Sequence, residues 1–275
     1  MKLFWIDHQI LTEESASISR LDLGLIRGYG VFDFLRTYGK KTFYFDDHLN
    51  RLKKSANSID LKLPFSDEEI KEAVDALIMI HPEENLGIKI YVTAGISEDA
   101  FFASSACSFW IVAAPLKSLP FDHAINLKTI DAYRELPEIK SLNYLQAALH
   151  AGRYRKLSYD DIIYKNKEGY LLESSTSNLF FIKGHTLITA EKDILHGITR
   201  SVVLDIAQGV LNIELRPLHI DELPYVDECF VTSTTKEICP VNLVDEHKMK
   251  SNDLSSMTLK LKLAFQLRTE SLISI

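Results

Sequence analysis

Glu138-Ile139-Lys140-Ser141-Leu142-Asn143-Tyr144-Leu145 sets one lysine among apolar residues, just after Pro137. An amphipathic run from Leu142 to about Tyr154 follows, so the spacing predicts an amine at the entrance of a helix. A lysine in that position either stays charged in solvent or is held among apolar neighbours, where it loses its proton readily enough to act as a nucleophile. Residues elsewhere in the chain decide between the two.

Upstream, Lys2–Ile6 reads as a short strand turning at Asp7-His8-Gln9, with a second short strand before an irregular stretch from Ser15 to Gly30. Arg27-Gly28-Tyr29-Gly30 reads as a loop, because paired glycines permit backbone angles that other residues avoid. Val31–Tyr38, a turn at Gly39-Lys40-Lys41 and Thr42–Phe45 give a hairpin signal. A helix through Ile59 follows, with Asp46 or Asp47 as its cap, and carries His48, Leu49, Arg51 and Leu52. Ser66 and Glu69 match a capping box that opens a helix to about Ile80. Leu86–Thr93 and Ser108–Pro115 are two further strands around an acidic loop at Gly95-Ile96-Ser97-Glu98-Asp99. The expected fold class is α+β: a smaller N-terminal domain over 1–116, a linker over 117–129 and a larger C-terminal domain over 130–275.

Downstream, strands are expected at 124–130, 161–164, 170–173, 179–182 and 228–232, and helical periodicity returns from Leu254 to about Leu272. His196-Gly197-Ile198-Thr199-Arg200 opens a helix through Gln208, and its N-terminus is a ready anion site by dipole and unpaired N–H groups. Ser233-Thr234-Thr235 clusters hydroxyls at a strand end.

The 275 residues are 46% hydrophobic and 25% charged with a net charge of −7, the composition of an ordinary globular protein. The negative balance argues against phosphate-backbone recognition, so no nucleic acid is expected. No run reaches the ~20 apolar residues of a membrane span. Three scattered cysteines, Cys107, Cys229 and Cys239, suit a reducing cytoplasm.

Lys140, Glu173, the Ile198-Thr199 helix start and the Thr234-Thr235 hydroxyls share one logic: an amine, a carboxylate and two phosphate cradles suit pyridoxal phosphate. Arg51 adds a cation for the phosphate. Taken singly, each has an ordinary structural use: a solvated lysine, a strand-end acid, a helix cap, a surface ion-pair partner.

Six ordered motifs join them: Arg27-Gly28-Tyr29-Gly30-Val31-Phe32-Asp33, His48-Leu49-Asn50-Arg51-Leu52, Lys140–Leu145, Glu173-Ser174-Ser175-Thr176-Ser177-Asn178-Leu179-Phe180, Gly197-Ile198-Thr199-Arg200 and Thr232-Ser233-Thr234-Thr235-Lys236-Glu237-Ile238. Together they resemble the fold-type IV pyridoxal-phosphate enzymes, the class IV aminotransferases, from about Phe4 to Val241. The resemblance implies a C-terminal domain with a pseudo-barrel β core and flanking helices. It also implies pyridoxal 5′-phosphate as cofactor, no metal, and a homodimer with active sites near the subunit interface. Lys140 would form the Schiff base and shuttle the α-proton, which requires its pKa to fall below the ordinary ~10.4. Glu173 would pair with the pyridinium nitrogen, Tyr144 would bond the ring hydroxyl, and Arg51, Ile198 (through its N–H), Thr199 and Thr234 would hold the phosphate.

Amino acids and 2-oxo acids would be the substrates, with Tyr29 and Thr235 facing them. The best-known D-amino-acid branch has an Arg and a His in the loop after the fourth strand; here the residues are Ser97-Glu98-Asp99-Ala100-Phe101. Arg27, in a form resembling another set of D-amino-acid transaminases, is then the candidate for the substrate carboxylate, helped by Lys89 or Arg36; its alternative use is to brace the loop through backbone carbonyls. Transamination of the D-amino-acid or branched-chain type is the first functional expectation, elimination of the aminodeoxychorismate lyase kind the second, and a non-catalytic cofactor-binding protein the third.

Overall fold

The computed structural model describes residues 1–103 and 106–273, which fall into two compact units. Residues 1–117, Ile139–Asn143, Leu272 and Ile273 form the first; Ser118–Glu138 and Tyr144–Ser271 form the second.

In the first unit, β1 (Leu3–Ile6) and β2 (Gln9–Thr12) make a hairpin, followed by α1 (Leu23–Arg27), β3 (Gly30–Tyr38), β4 (Lys41–Thr42), α2 (Phe45–Asn57), α3 (Asp67–Ile80), β5 (Leu86–Thr93) and β6 (Ser108–Pro115). The strands form one antiparallel sheet in the order β2-β1-β6-β5-β3-β4. Strand alternation gives β3 two different faces. Val31 and Leu35 are fully buried with Leu49 and Leu52 of α2 and Val74 and Leu77 of α3. Phe32, Phe34 and Arg36 occupy the opposite face. There Phe32 stacks on Tyr91 of β5 (centroids 5.7 Å apart), which stacks on Trp110 of β6 (5.0 Å).

Local signals placed most of these elements, and α3 begins with the Ser66/Glu69 capping box. Three expectations are corrected. Arg27 is the last residue of a short helix, α1, inside the stretch read as irregular; Asp22 caps its start and Gly28 ends it at φ +67°, a backbone conformation glycine adopts at no steric cost, so the loop proper is Gly28-Tyr29. The hairpin's return strand stops at Thr42, because Tyr44 in the left-handed region turns the chain into α2; Asp46 and Asp47 lie inside its first turn instead of capping it. Lys140 is not at a helix entrance. The short β4 pairs only with Thr37 and Tyr38, leaving the Gly30–Phe32 edge of β3 to the lysine segment. Phe32 N–H donates to Lys140 O and Leu142 N–H to Gly30 O, each at 3.0 Å, with Val31 bridging Ser141. Covering an open strand edge in this way satisfies its backbone groups.

The second unit contains β7 (Ile125–Asp131), α4 (Leu145–Arg155), β8 (Asp161–Lys165), β9 (Tyr170–Ser174), β10 (Asn178–Lys183), β11 (Thr186–Thr189), α5 (Ile198–Ala207), β12 (Asn212–Leu215), β13 (Leu218–His219), β14 (Glu228–Ser233), β15 (Glu237–Val244), β16 (His247–Lys248) and, as far as Ser271, α6 (Met257–Ile273). Six strands run in the order β10-β14-β15-β7-β8-β9, and the pairing of Glu173 on β9 with Asn178 on β10 closes them into a ring. Leu127, Ile163, Leu179, Val231 and Val241 are among the residues of its buried core. This is the pseudo-barrel with flanking helices.

Candidate active site

In the first unit, the backbone bonds to β3 fix where Lys140 leaves the sheet edge, and its own N–H donates to Ser55 Oγ of α2 at 3.3 Å. Its Nζ lies 4.8 Å from the centre of the Phe32 ring. An ammonium over an aromatic face is held by the ring quadrupole, while the apolar face keeps water away from one side of the amine.

Helical spacing puts His48, Arg51 and Ser55 on the face of α2 that meets β3 and the lysine segment. Asp33 of β3, fully buried, accepts Arg51 Nε on Oδ2 and Arg51 Nη2 on Oδ1, both at 2.8 Å. His48 Nδ1 is 2.6 Å from the same Oδ1. Burial opposes ionisation of Asp33, but the Arg51 and His48 contacts outweigh it and hold the carboxyl far below its usual range. Burial, then the charges of Arg51 and Lys140, push His48 below its ordinary pKa against the pull of Asp33.

In the second unit, Glu173 is buried at the closure of the ring. Its Oε2 accepts Leu195 N–H at 3.1 Å, and its Oε1 lies 3.1 Å from Arg134 Nη1. Arg134 also donates through Nη2 to Pro137 O at 3.1 Å. Tyr164, buried beside Ala147 with Tyr144 packed against the same cluster, has its phenol pushed up to about 12 by burial, and so presents a neutral O–H. α5 starts at Gly197 without a side-chain cap, so its first N–H groups, that of Ile198 among them, have no capping side chain to accept them, the arrangement by which a helix start can take an anion. A Cβ at Gly197 would collide with Asn178 Oδ1, whose carboxamide donates to Leu195 O at 2.6 Å. Thr199 is buried, and Thr234 and Thr235 are half-buried in the turn between β14 and β15. Thr232 Oγ1, just before them, is buried without a protein hydrogen-bond partner.

An amine against an apolar face, a guanidinium, an uncapped helix start and a buried carboxylate are donor types that suit pyridoxal phosphate. The first unit carries Lys140 and Arg51; the second carries Tyr144, Glu173, Ile198, Thr199 and Thr234.

The substrate candidates separate. Arg27 is exposed, and its Nε and Nη1 donate to the carbonyls of Ala100 (3.2 Å) and Ile26 (3.3 Å), the loop-bracing arrangement. Tyr29 donates its hydroxyl to Ile59 O at 3.1 Å. Arg36 is 2% exposed and lies 4.3 Å over the Tyr38 ring. Lys89, half-buried, lies 5.2 Å over the Phe34 ring on the face that carries Phe32. Thr235 Oγ1 is 3.3 Å from Ser233 Oγ.

Sequence reasoning missed Asp33, His48, Arg134 and Tyr164. The first two were within reach, since Asp33 and His48 sit inside quoted motifs; an aspartate pointing to the core side of an apolar strand calls for a cationic partner. Arg134 and Tyr164 carry no local signal.

Residues 30–244 match the amino-transferase class IV family, and the chain belongs to it. It is a pyridoxal-phosphate-dependent transaminase. A Methanocaldococcus jannaschii protein assigned as a branched-chain-amino-acid aminotransferase is 30% identical over 97% of this chain and 96% of that protein. A D-alanine aminotransferase of Staphylococcus aureus is 30% identical over 98% and 99% of the two chains. Among solved structures, a branched-chain aminotransferase of Thermoproteus uzoniensis with norvaline superposes with a TM-score of 0.87 at 27% identity, covering 97% of this chain and 94% of that one. These relatives are aminotransferases, and nothing in the comparison favours the lyase alternative.

Proposed function

We propose that the chain moves amino groups between amino acids with large apolar side chains and 2-oxo acids such as 2-oxoglutarate, in the manner of the branched-chain enzymes. The observation that carries this reading is the row Phe32, Tyr91 and Trp110, which starts under Lys140 Nζ and continues across three strands. An aromatic wall of that extent favours a side chain much larger than a methyl group by the area it removes from water. The loop sequence Ser97-Glu98-Asp99 supports the same reading, because Asp99 accepts N–H groups from Phe101 and Phe102 that favour its carboxylate form, and an anion does not hold a substrate carboxylate.

When bound, pyridoxal phosphate supplies an aldehyde that captures the amine and a ring that accepts the electrons left as the α-proton departs. Lys140 Nζ anchors it and takes and returns that proton. Arg51, the Ile198 N–H, Thr199 and Thr234 hold the phosphate. Glu173, oriented by Leu195 N–H and Arg134, keeps a proton on the ring nitrogen, and Tyr144 holds the ring hydroxyl. Thr235 and Tyr29 border the substrate. Of the three candidate cations, Lys89 shares the face of Phe32 and is assigned to the acidic group of the 2-oxo acid, with Arg36 behind it; Arg27 is assigned to the loop. The working form is a cytoplasmic homodimer: exposed Phe101 and Phe102 (62% and 68%) offer apolar surface for a second copy, and free cysteines suit a reducing compartment.

Adding L- and D-amino acids singly to the cofactor-loaded protein tests the reading. L-Leucine, L-isoleucine and L-valine should change the cofactor's absorption and, with 2-oxoglutarate, yield glutamate; a response confined to D-alanine overturns it. Lys89→Ala should raise the 2-oxoglutarate KM at least about tenfold, whereas Arg27→Ala should leave it near the parent value.

A further inference from the structure

We infer that Asp33 and His48 are positioning residues for the phosphate of the cofactor, acting through Arg51; the inference rests on the phosphate role proposed for Arg51. A carboxylate is acceptor-only, so the 2.6 Å contact requires His48 Nδ1 to carry a hydrogen and donate it to Asp33 Oδ1. Arg51 Nη2 donates to that same oxygen at 2.8 Å. The 3.3 Å separation of Nη2 from Nδ1 is therefore that of two donors sharing one acceptor. Arg51 Nε occupies the other carboxylate oxygen, and two parallel bonds fix the plane of the guanidinium as one bond could not.

The surroundings make this arrangement rigid. Asp33 has no exposed side-chain surface, His48 has 2% and Arg51 has 11%. A buried aspartate is tolerable only with its charge matched, and the fork supplies the match. The Phe34 N–H also donates to Oδ1, at 2.7 Å, and His48, held below its ordinary pKa chiefly by burial, adds a further donor there without adding a cation beside Lys140, whose charge it already feels. An arginine side chain has many rotamers to lose; here that freedom is removed before any phosphate arrives, which is how preorganisation raises affinity. The arrangement also has an opposing effect, because the negative charge of Asp33 partly cancels the attraction of Arg51 for an anion. The inference is that orientation outweighs this cancellation.

The test compares pyridoxal phosphate with pyridoxal, which lacks the phosphate, as ligands of the full chain freed of cofactor. Asp33→Asn and His48→Leu should weaken pyridoxal phosphate at least about tenfold and leave pyridoxal within about twofold. His48→Asn, whose amide can stand near the place of Nδ1, should recover most of the loss. Asp33→Asn combined with Arg51→Ala should be no worse than Arg51→Ala alone. Equal weakening of both ligands marks a merely structural role and overturns the inference, as does tighter phosphate binding by Asp33→Asn, which would mean that charge cancellation dominates. If Arg51→Ala shifts the ratio of the two affinities and Asp33→Asn does not, the positioning role alone fails. If Arg51→Ala leaves the ratio unmoved, the phosphate assignment of Arg51 fails and the inference with it. Binding of neither ligand by the parent overturns the cofactor assignment itself. His48→Leu and His48→Asn carry the test should Asp33→Asn not fold.

Discussion

Gly197→Ala is the most exacting probe of how the second unit is built. The added Cβ meets Asn178 Oδ1, the end of a side chain that would swing aside cheaply if it were free. It is 5% exposed and bonded to Leu195 O at 2.6 Å. Either the carboxamide stays and the site is overpacked, at about 1–3 kcal/mol, or it swings and strands a buried carbonyl, at about 1–3 kcal/mol. The two costs are alternatives, so the expected loss is about 1–3 kcal/mol, or a melting point lower by about 2–12 °C for a chain of this size. Alanine is also a poorer helix N-cap than glycine, by up to about 1 kcal/mol, and that portion is independent of Asn178. Thermal unfolding followed by circular dichroism, in the parent and in Asn178→Ala, separates the two effects. In the second background the collision partner is gone and only the cap effect should remain. Equal losses in both backgrounds would refute the reasoning.

Two further outcomes follow from buried titratable groups. Because burial, Arg51 and Lys140 keep His48 below its unfolded pKa of about 6.5, its contribution to stability is complete above that pH and is lost as the pH falls and the unfolded chain takes the proton first. The unfolding free energy from denaturant titration should drop from about pH 7.5 to 5.5, by up to ~1.4 kcal/mol per pH unit from this group, and the drop should be shallower in His48→Asn; the same slope in both rules the histidine out. Burial raises the thiol pKa of Cys229 well above its ordinary value, that of Cys239 to about 11 and that of half-buried Cys107 as well. Since the thiolate is the reacting form, an aromatic disulfide reagent at neutral pH should label at most Cys107 promptly in the native protein and all three after denaturation; fast labelling of two or more contradicts the burial.

What the sequence disclosed and what it hid divide along physical lines. β5, β6 and α3 were legible because alternation, turn residues and the capping box act within a few residues of one another. β15 was not, because Pro240 argues against a strand interior, yet it sits opposite Phe230 in a ladder flanked by β14 and β7. The Lys140 segment read as a helix start because its partner edge, Gly30–Phe32, lies far upstream and declares itself only when β4 proves short. The ordered motifs brought the candidate residues together, but the guanidinium beside Glu173 belongs to Arg134, in a stretch with no periodicity to notice. Contacts set by the closure of the ring leave no mark on local patterning.

The docking of Ile139–Asn143 on the first unit has a consequence for shuffling pieces between relatives. A chimera cut at residue 117 would take the front portion from one parent and Lys140 from another, so the peptide that must fit against Gly30–Phe32 and Ser55 would be a stranger to them. Five residues should therefore travel as a graft with the N-terminal part, and natural exchange of that part should be rarer than a single cut in the gene would suggest.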